Sequence, residues 1–367
     1  MKHYLLEPLD TLFFGDGSPF NAGETGQMEV LGTFPPSPTT VVGALRAAFA
    51  RELGWPRNGW NQRIVEALGD GRDLGPLRFS GPYVVKDGDV LFPAPLHLLR
   101  SKQSELEGKV HFTFLKPGGN AFSTDIGEAR LPEAEAKRDD SGREITGFKP
   151  LGDAYLTREG MEKALRGEPP GPDEVLDGAT LWGGEPRVGI RRHPEKRTTE
   201  EDALYQITHV RPKKGVALAM GVDGYDGEAP GLLTLGGESR MAGLKSASSF
   251  AFPKAPALEP EGGTLRYTAT LITPARLREE GWRKPCGELP GLPGKVVSAC
   301  AGKPLMIGGW DTEKKEPLAL EPHLPPGSTW FMEVSADKAE KVRKMHAGHI
   351  GERQEWGYGQ ILIGAWR

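Results

Sequence analysis

Apolar residues along this chain come in short runs, cut off by glycine or proline, and the spacing inside each run assigns the elements. Val41, Val42, Leu45, Ala48, Phe49 and Leu53 recur three and four positions apart, which predicts a helix. Ser37 stands where an N-cap belongs, Pro38 at the first helical position, and Gly54 where the helix should stop. The stretch HYLLEP before it reads as a strand. YVVKDGDVLFPAPL reads as a hairpin folded about Asp87-Gly88, a dipeptide suited to a two-residue turn. TREGMEKALRG predicts a short helix capped by Thr157 and weakened by Gly160, and DKAEKVRKMHAG a second one, with its cations toward the C-terminal end.

Further strands are predicted in PRVGIRRH, TLRYTATLIT, KVVSACAGKPLMIGG, STWFMEV and QILIGAW. ALYQITHVRPKKGVALAMGV reads as two strands meeting at a hairpin tip near Pro212–Gly215. Residues 100–150 carry KPGGN and EARLPEAEAKRDDSGRE with little apolar periodicity, and read as a long polar insertion. Strands outnumber helices, and no short repeat is visible. The order predicts an α+β fold built twice, each half a split βαβ sheet. The boundary falls between 225 and 262, giving domains 1–230 and 231–367.

Composition narrows the class. With 50 glycines and 32 prolines among 367 residues, the chain is rich in turns, yet apolar segments between them are enough for a folded protein. No apolar run has the length to span a bilayer, and MKHYLLEPLD lacks the uncharged stretch of a signal peptide. A cytoplasmic protein is therefore expected. Two cysteines, Cys286 and Cys300, are too few for a disulfide framework or a cysteine metal site, and are expected as reduced thiols. A net charge of −4 excludes a bulk polycation but leaves room for a local basic groove.

Three stretches carry candidate chemistry. The mouth of the first helix offers unpaired amides together with Ser37, Thr39 and Thr40, with Arg46 about two turns in; this suits a phosphate, and equally suits plain capping. RVGIRRHPEKR brings Arg187, Arg191, Arg192 and His193 together, and HVRPKKG adds Arg211, Lys213 and Lys214. Such density can track a sugar-phosphate backbone or simply form a solvated strand face. LGGESRMAGLKS and EWGYGQ set Gly236, Gly237, Gly357 and Gly359 beside Arg240 and Tyr358, so that backbone could approach a phosphate and the ring could stack on a base. Neither stretch is a Walker loop or a dinucleotide fingerprint.

Enzyme signatures are weak. His346, His349 and Glu352 have ligand-like spacing, but Gly348 and Gly351 argue against a helix there. No G-x-S-x-G elbow exists, and Asp10 and Asp16 read as turn residues that could at most hold a metal. No catalytic residue, metal or cofactor is assigned.

EPLDTLFFGDGSPF followed by FPPSPTTVVGALR resembles the N-terminal signature of the third-subunit family of type III-B CRISPR (Cmr) effector complexes, within the RAMP superfamily. LFPAPLHLL, EPRVGIRRH with ALYQITHVR, LLTLGGESR, PPGSTWFMEV and EWGYGQILIGAW are similar too, so the resemblance runs from residue 5 to 366. It implies two ferredoxin-like (RRM-like) domains and a glycine-rich loop near the C-terminus. It implies a non-catalytic subunit that holds the 5′ tag of the crRNA and docks the large polymerase/cyclase-like subunit beside the backbone RAMP subunit, away from membranes. By motif position it places RNA contacts at Ser37, Thr39, Thr40 and Arg46; at Arg187, Arg191 and Arg192; at Gly236, Gly237 and Arg240; and at the Gly357–Gly359 loop. A metal-independent guide-processing endoribonuclease of the same superfamily is the alternative, with His193 its candidate acid or base. A scaffold whose basic stretches face acidic protein partners is a third reading.

Overall fold

The chain divides into two units that interleave along the sequence. One comprises Met1–Gly88, Ala179–Ser249 and Met306–Glu321; the other Asp89–Gly178, Phe250–Leu305 and Pro322–Arg367. This computed structural model describes every residue except 16–28, 57–58, 72, 102–109, 125–126, 140, 193–198, 278–286, 312–313 and 367, and the side chains of 29, 124, 190–192 and 199–205. Cys286 and His193 therefore lie outside the described residues. The sequence predicted one cut near residue 230; the structure crosses between units five times, once inside the expected window, at 249/250.

The first unit is built on strand β1 (Lys2–Pro8), whose alternation buries Tyr4 and Leu6. Helix α1 (Pro38–Glu52) follows, with Ser37 as N-cap; its hydroxyl accepts from the Thr40 amide at 3.4 Å. Val41, Val42, Leu45, Ala48 and Phe49 are fully buried, and each large apolar side chain among them contributes on the order of 2 kcal/mol. Phe49 meets Tyr4 of β1 at 5.8 Å and stacks on Tyr225 at 3.9 Å, fixing which face of the sheet the helix covers. The helix ends at Leu53, and Gly54 takes a φ of 84°, as its glycine requires.

Past helix α2 (Gln62–Leu68), the sheet is completed by β3 (Arg78–Lys86), β6 (Val216–Asp223), β7 (Leu232–Thr234) and β8 (Met241–Ala247). Their order is β3-β6-β1-β8-β7, with antiparallel pairing along β6, β1 and β8. Beside it lies a second sheet, β4-β5-β2, made by a long hairpin of β4 (Trp182–Arg192) and β5 (Thr199–Pro212) with short β2 (Glu29–Leu31) running parallel to β5. Pro212–Gly215 therefore does not close a hairpin: β5 and β6 belong to different sheets. Strand-like periodicity identified both strands but could not name their partners.

In the second unit, strands Lys295–Cys300, Thr329–Ser335, Thr264–Leu271 and Ile361–Ala365 lie side by side in that order, all antiparallel. Leu265, Tyr267, Leu271, Met332 and Ile363 form the centre of its core. The helix predicted after Ser335 is short, a single 3₁₀ turn followed by Ala339–Arg343. The helix predicted near 157 is present at Arg158–Leu165, with the Thr157 hydroxyl accepting from Gly160 at 3.1 Å. Gly160 is required there, since a Cβ would crowd Glu174. The polar insertion is a correction: it contains the hairpin Phe112–Thr124 with Gly127–Ala134, and Phe112 and Phe114 are buried. Cys300 is a buried free thiol, and burial pushes its pKa up to about 12. No described helix is long and apolar enough to cross a membrane.

The buried His97 and the half-buried His349 make this second unit sensitive to acid. His97 packs between the rings of Phe114 and Phe331, at 5.3 and 5.5 Å, and burial lowers its pKa to about 4. Burial lowers His349 to about 4 as well. Unfolded, each titrates near 6.5. Between those values the unfolded chain takes up protons that the folded one does not. Stability is therefore complete above 6.5 and is lost as the pH falls toward 4. At pH 5 each histidine accounts for about 2 kcal/mol of that loss. Urea midpoints measured at pH 7 and pH 5 will show the drop, and His97→Phe, which keeps a ring in the slot, will remove about half of it. An undiminished drop in that variant would assign the acid sensitivity elsewhere.

Candidate nucleic-acid interface

Where β1 ends, the chain turns along the second sheet of its unit. Leu12 and Val210 of β5 exchange backbone hydrogen bonds at 2.8 Å each, and the Gly237 amide donates to the Phe13 carbonyl at 2.9 Å. Gly236 is needed at that junction: its φ is 81°, and a Cβ would collide with the Phe13 carbonyl oxygen. The turn that follows continues with Glu238 and Ser239 at φ 55° and 53°, then delivers Arg240 to the start of β8.

This arrangement draws three guanidiniums from three elements onto one carboxylate. Asp10 is approached by Arg211 at 3.1 Å, by Arg187 at 3.5 Å and by Arg240 at 3.5 Å. Glu185, two residues before Arg187 on β4, pairs with Arg187 at 2.8 Å and closely with Arg211 across the hairpin. The Thr11 amide first, then the Arg211 and Arg187 charges, hold the Asp10 carboxyl below the usual carboxylate range. Arg211 and Arg187 hold Glu185 at about 2. Both acids are ionised at neutral pH. Arg211 is half exposed, while Arg187 and Arg240 are one-third or less exposed.

Below the arginines lies His209, fully buried. Its Nδ1 is 3.1 Å from the Thr11 hydroxyl, and Phe13 stacks on its ring at 5.3 Å. Burial first, then the Arg240 and Arg187 charges, push its pKa down, favouring the neutral imidazole. The His209 Nε2 and the Arg240 Nε are both buried without a hydrogen-bond partner. Buried polar atoms are nearly always paired, so these two leave the cluster with unmet hydrogen-bonding capacity.

Of the positions singled out in the sequence, Arg187, Arg211, Gly236, Gly237 and Arg240 come together here. Asp10, Glu185, Thr11 and His209 belong to the same cluster and were not assigned to it. Asp10 had been taken for a turn residue because its partners lie 177 and 230 positions away. Lys213 donates to the Ala179 carbonyl at 2.6 Å, and Lys214 is exposed in the connection from β5 to β6. Arg191 and Arg192 end β4, but their side chains, like all of His193, lie outside the described residues.

The run into the α1 mouth is laid against the same hairpin. Gly32 donates to the Thr208 carbonyl and Thr33 to that of Phe14, both at 2.8 Å, and Phe34 packs on Trp182 at 4.8 Å. Ser37, Thr39 and Thr40 are half-buried at that mouth, with Ser37 and Thr40 hydroxyls 3.0 Å apart.

Two expectations need correction. Arg46 is 6% exposed, and its guanidinium points inward, donating to the carbonyls of Leu68, Gly71 and Asp73 at 3.1, 2.8 and 3.1 Å. It ties down the loop at the end of α2 and lies 5.0 Å from the Trp60 ring. Tyr358 is fully buried beside His323, at 5.0 Å between ring centres, so its ring has no face for a base. Gly357 and Gly359, at φ 93° and 73°, serve the turn into the last strand, and a Cβ at Gly359 would collide with the Ile350 carbonyl oxygen. His346 is not a ligand either: its Nδ1 accepts from the Ile363 amide at 3.1 Å and its Nε2 donates to the Pro253 carbonyl at 2.8 Å.

Comparison with known proteins agrees with the resemblance. The sequence-family model for CRISPR-associated protein (Cas_Cmr3) matches residues 4–366. No curated protein sequence matches. The fold is similar to a chain in the cryo-EM structure of the Type III-B Cmr-beta bound to cognate target RNA, with a TM-score of 0.53 at 15% identity, covering 98% of this chain and 96% of that one. It is also similar to a chain in the structure of Type III-B Cmr-beta bound to cognate target RNA and AMPPnP, with a TM-score of 0.50 at 15% identity, over 90% and 86% of the two chains.

Arg46→Ala leaves three carbonyls without their donor, and will lower stability by about 3 kcal/mol in urea melts. A loss well below about 1 kcal/mol would overturn this anchoring role for Arg46.

Proposed function

The chain belongs to the Cas_Cmr3 family of CRISPR-associated proteins, and from that membership we propose that it is a non-catalytic RNA-binding subunit of a type III-B CRISPR effector complex. In this reading it holds the 5′ tag of the crRNA and docks the large polymerase/cyclase-like subunit and the backbone RAMP subunit. The observation that carries the proposal is the convergence of Arg187, Arg211 and Arg240 on one partly exposed surface. Arginine forks match phosphate oxygens in pairs, and three of them gathered around Asp10 present N–H groups suited to a phosphate. The α1 mouth, with Ser37, Thr39 and Thr40, is the second contact, reached along the same hairpin.

Strand order supports the architectural side. In each unit four strands follow the spatial order fourth, first, third, second: β8-β1-β6-β3 in one, and Ile361–Ala365, Thr264–Leu271, Thr329–Ser335, Lys295–Cys300 in the other. That is the order of the split βαβ sheet, and it favours two ferredoxin-like RAMP domains. Such sheets suit single-stranded RNA, which is read by backbone contacts and stacking.

Filter binding of a single-stranded RNA carrying the tag sequence, across a salt titration, tests the reading. Wild-type affinity will fall linearly with log salt, and Arg211→Ala and Arg240→Ala will each weaken binding about tenfold and reduce the slope by about 0.7. A wild-type slope near zero would sink the electrostatic reading. Incubation with repeat RNA in EDTA will leave the RNA intact; discrete cleavage would turn the assignment toward a metal-independent endoribonuclease.

A further inference from the structure

We propose that Asp10, together with Glu185, restricts the arginine cluster to a single phosphodiester and thereby sets its discrimination between the cognate RNA segment and any other polyanion. This rests on the RNA-binding reading above and names residues and a stoichiometry that it does not.

The first argument is charge. Three guanidiniums face two carboxylates, so the cluster carries a residual charge of +1. Among the described residues Glu238, on the same turn and near enough for its charge to act on His209, forms no ion pair with the three arginines, so the paired set itself carries the +1. One phosphodiester carries one negative charge. A cluster of three bare arginines would attract any nucleic acid segment; one left with a single uncompensated charge neutralises one phosphate and then has nothing to offer the next.

The second argument is shape. A carboxylate and a phosphodiester present two oxygens with similar spacing to a guanidinium fork. Asp10 holds the three arginines in position against mutual repulsion and leaves their outward N–H groups for the phosphate. The incoming phosphate meets side chains already aimed, so less rotamer freedom is lost on binding.

The third is unmet capacity. The Arg240 Nε is a buried donor without an acceptor, and the His209 Nε2 is a fully buried ring nitrogen without a partner. Both sit in this cluster, with Thr11 hydrogen-bonded at the His209 Nδ1 and Phe13 stacked on its ring. A phosphate oxygen at the Arg240 Nε satisfies a group that the protein alone leaves empty.

The fourth is permanence. Both acids stay ionised at neutral pH, so proton uptake does not lift the restriction. Asp10 stays paired with the arginines while the phosphate is bound, and the rest of the RNA must hold that one phosphate at the cluster.

The experiment compares wild type, Asp10→Asn, Glu185→Gln and Arg211→Ala with tag RNA and with a scrambled RNA of equal length, by filter binding across a salt titration. Asp10→Asn raises the cluster to +2. Its salt slope will steepen by about 0.7, which at 0.1 M salt corresponds to about fivefold tighter binding of the scrambled RNA. Tag RNA will gain less, because its register already places one phosphate at the cluster, so the ratio of the two affinities will fall. Glu185→Gln will act in the same direction, and keeps the test open if Asp10→Asn fails to fold. Wild-type slopes and ratios in both acid variants, with Arg211→Ala weakened, would overturn this proposal and leave the RNA reading standing. Slopes near zero in every protein would overturn both.

Discussion

Two hydrogen bonds between Leu12 and Val210, each 2.8 Å, fix the geometry on which the rest of the first unit depends. They hold the chain leaving β1 against the β4–β5 hairpin, so two residues earlier Asp10 faces the hairpin's charged side chains. The Phe13 carbonyl then receives Gly237, which brings the turn carrying Arg240 into the same place. Backbone pairing sets the positions here, and the ion pairs follow from them. Half-exposed ion pairs are worth little to stability on their own, so the cluster is poorly explained as a structural clamp. It is better explained as a set of charges that the fold can hold in place at small cost.

Arg46 shows the opposite use of the same side chain. It lies on the buried face of α1, is almost fully excluded from solvent, and spends its donors on three carbonyls of one loop. Four arginines of one unit thus divide by burial: one closes a loop, while Arg187, Arg211 and Arg240 keep exposed area, and Arg240 an unpaired buried Nε. Sequence position alone did not separate these roles, because an arginine two turns into a helix is equally compatible with either.

Local features were legible in the sequence wherever the information is local. The α1 cap at Ser37, the Thr157 cap and the reversal at Asp87-Gly88, where both residues take positive φ, are all present as read. Each depends on neighbours within about four positions. Strand partners were not legible, since an alternating pattern declares which side is buried and says nothing about what lies alongside. That is why Pro212–Gly215 looked like a hairpin tip, and why two domains looked separable at one point although the chain shuttles between the units. The insertion at 100–150 was misread because its buried pair, Phe112 and Phe114, is too brief a signal amid charged residues. Half of the candidate site was legible as basic residues and glycines. Its acids and its histidine were not, because a carboxylate between strands carries no local mark of whom it will meet.

The site's construction also bears on how ligand and fold are coupled. Residues 10, 187, 211 and 240 come from four separate stretches, and nothing near any one of them in sequence reproduces the cluster. An unfolded chain keeps its local basic stretches, such as RVGIRRHPEKR, but does not bring Arg187, Arg211 and Arg240 around Asp10. An anion that seats on the cluster therefore binds the folded form and neglects the unfolded one, and it stabilises the folded form in proportion to the logarithm of its concentration over its dissociation constant. The part stabilised is the junction that Leu12 and Val210 create, since the arginines hang from the elements meeting there. The junction positions the charges, and an anion seated on them would in turn hold the junction closed, so occupancy and local order would rise together.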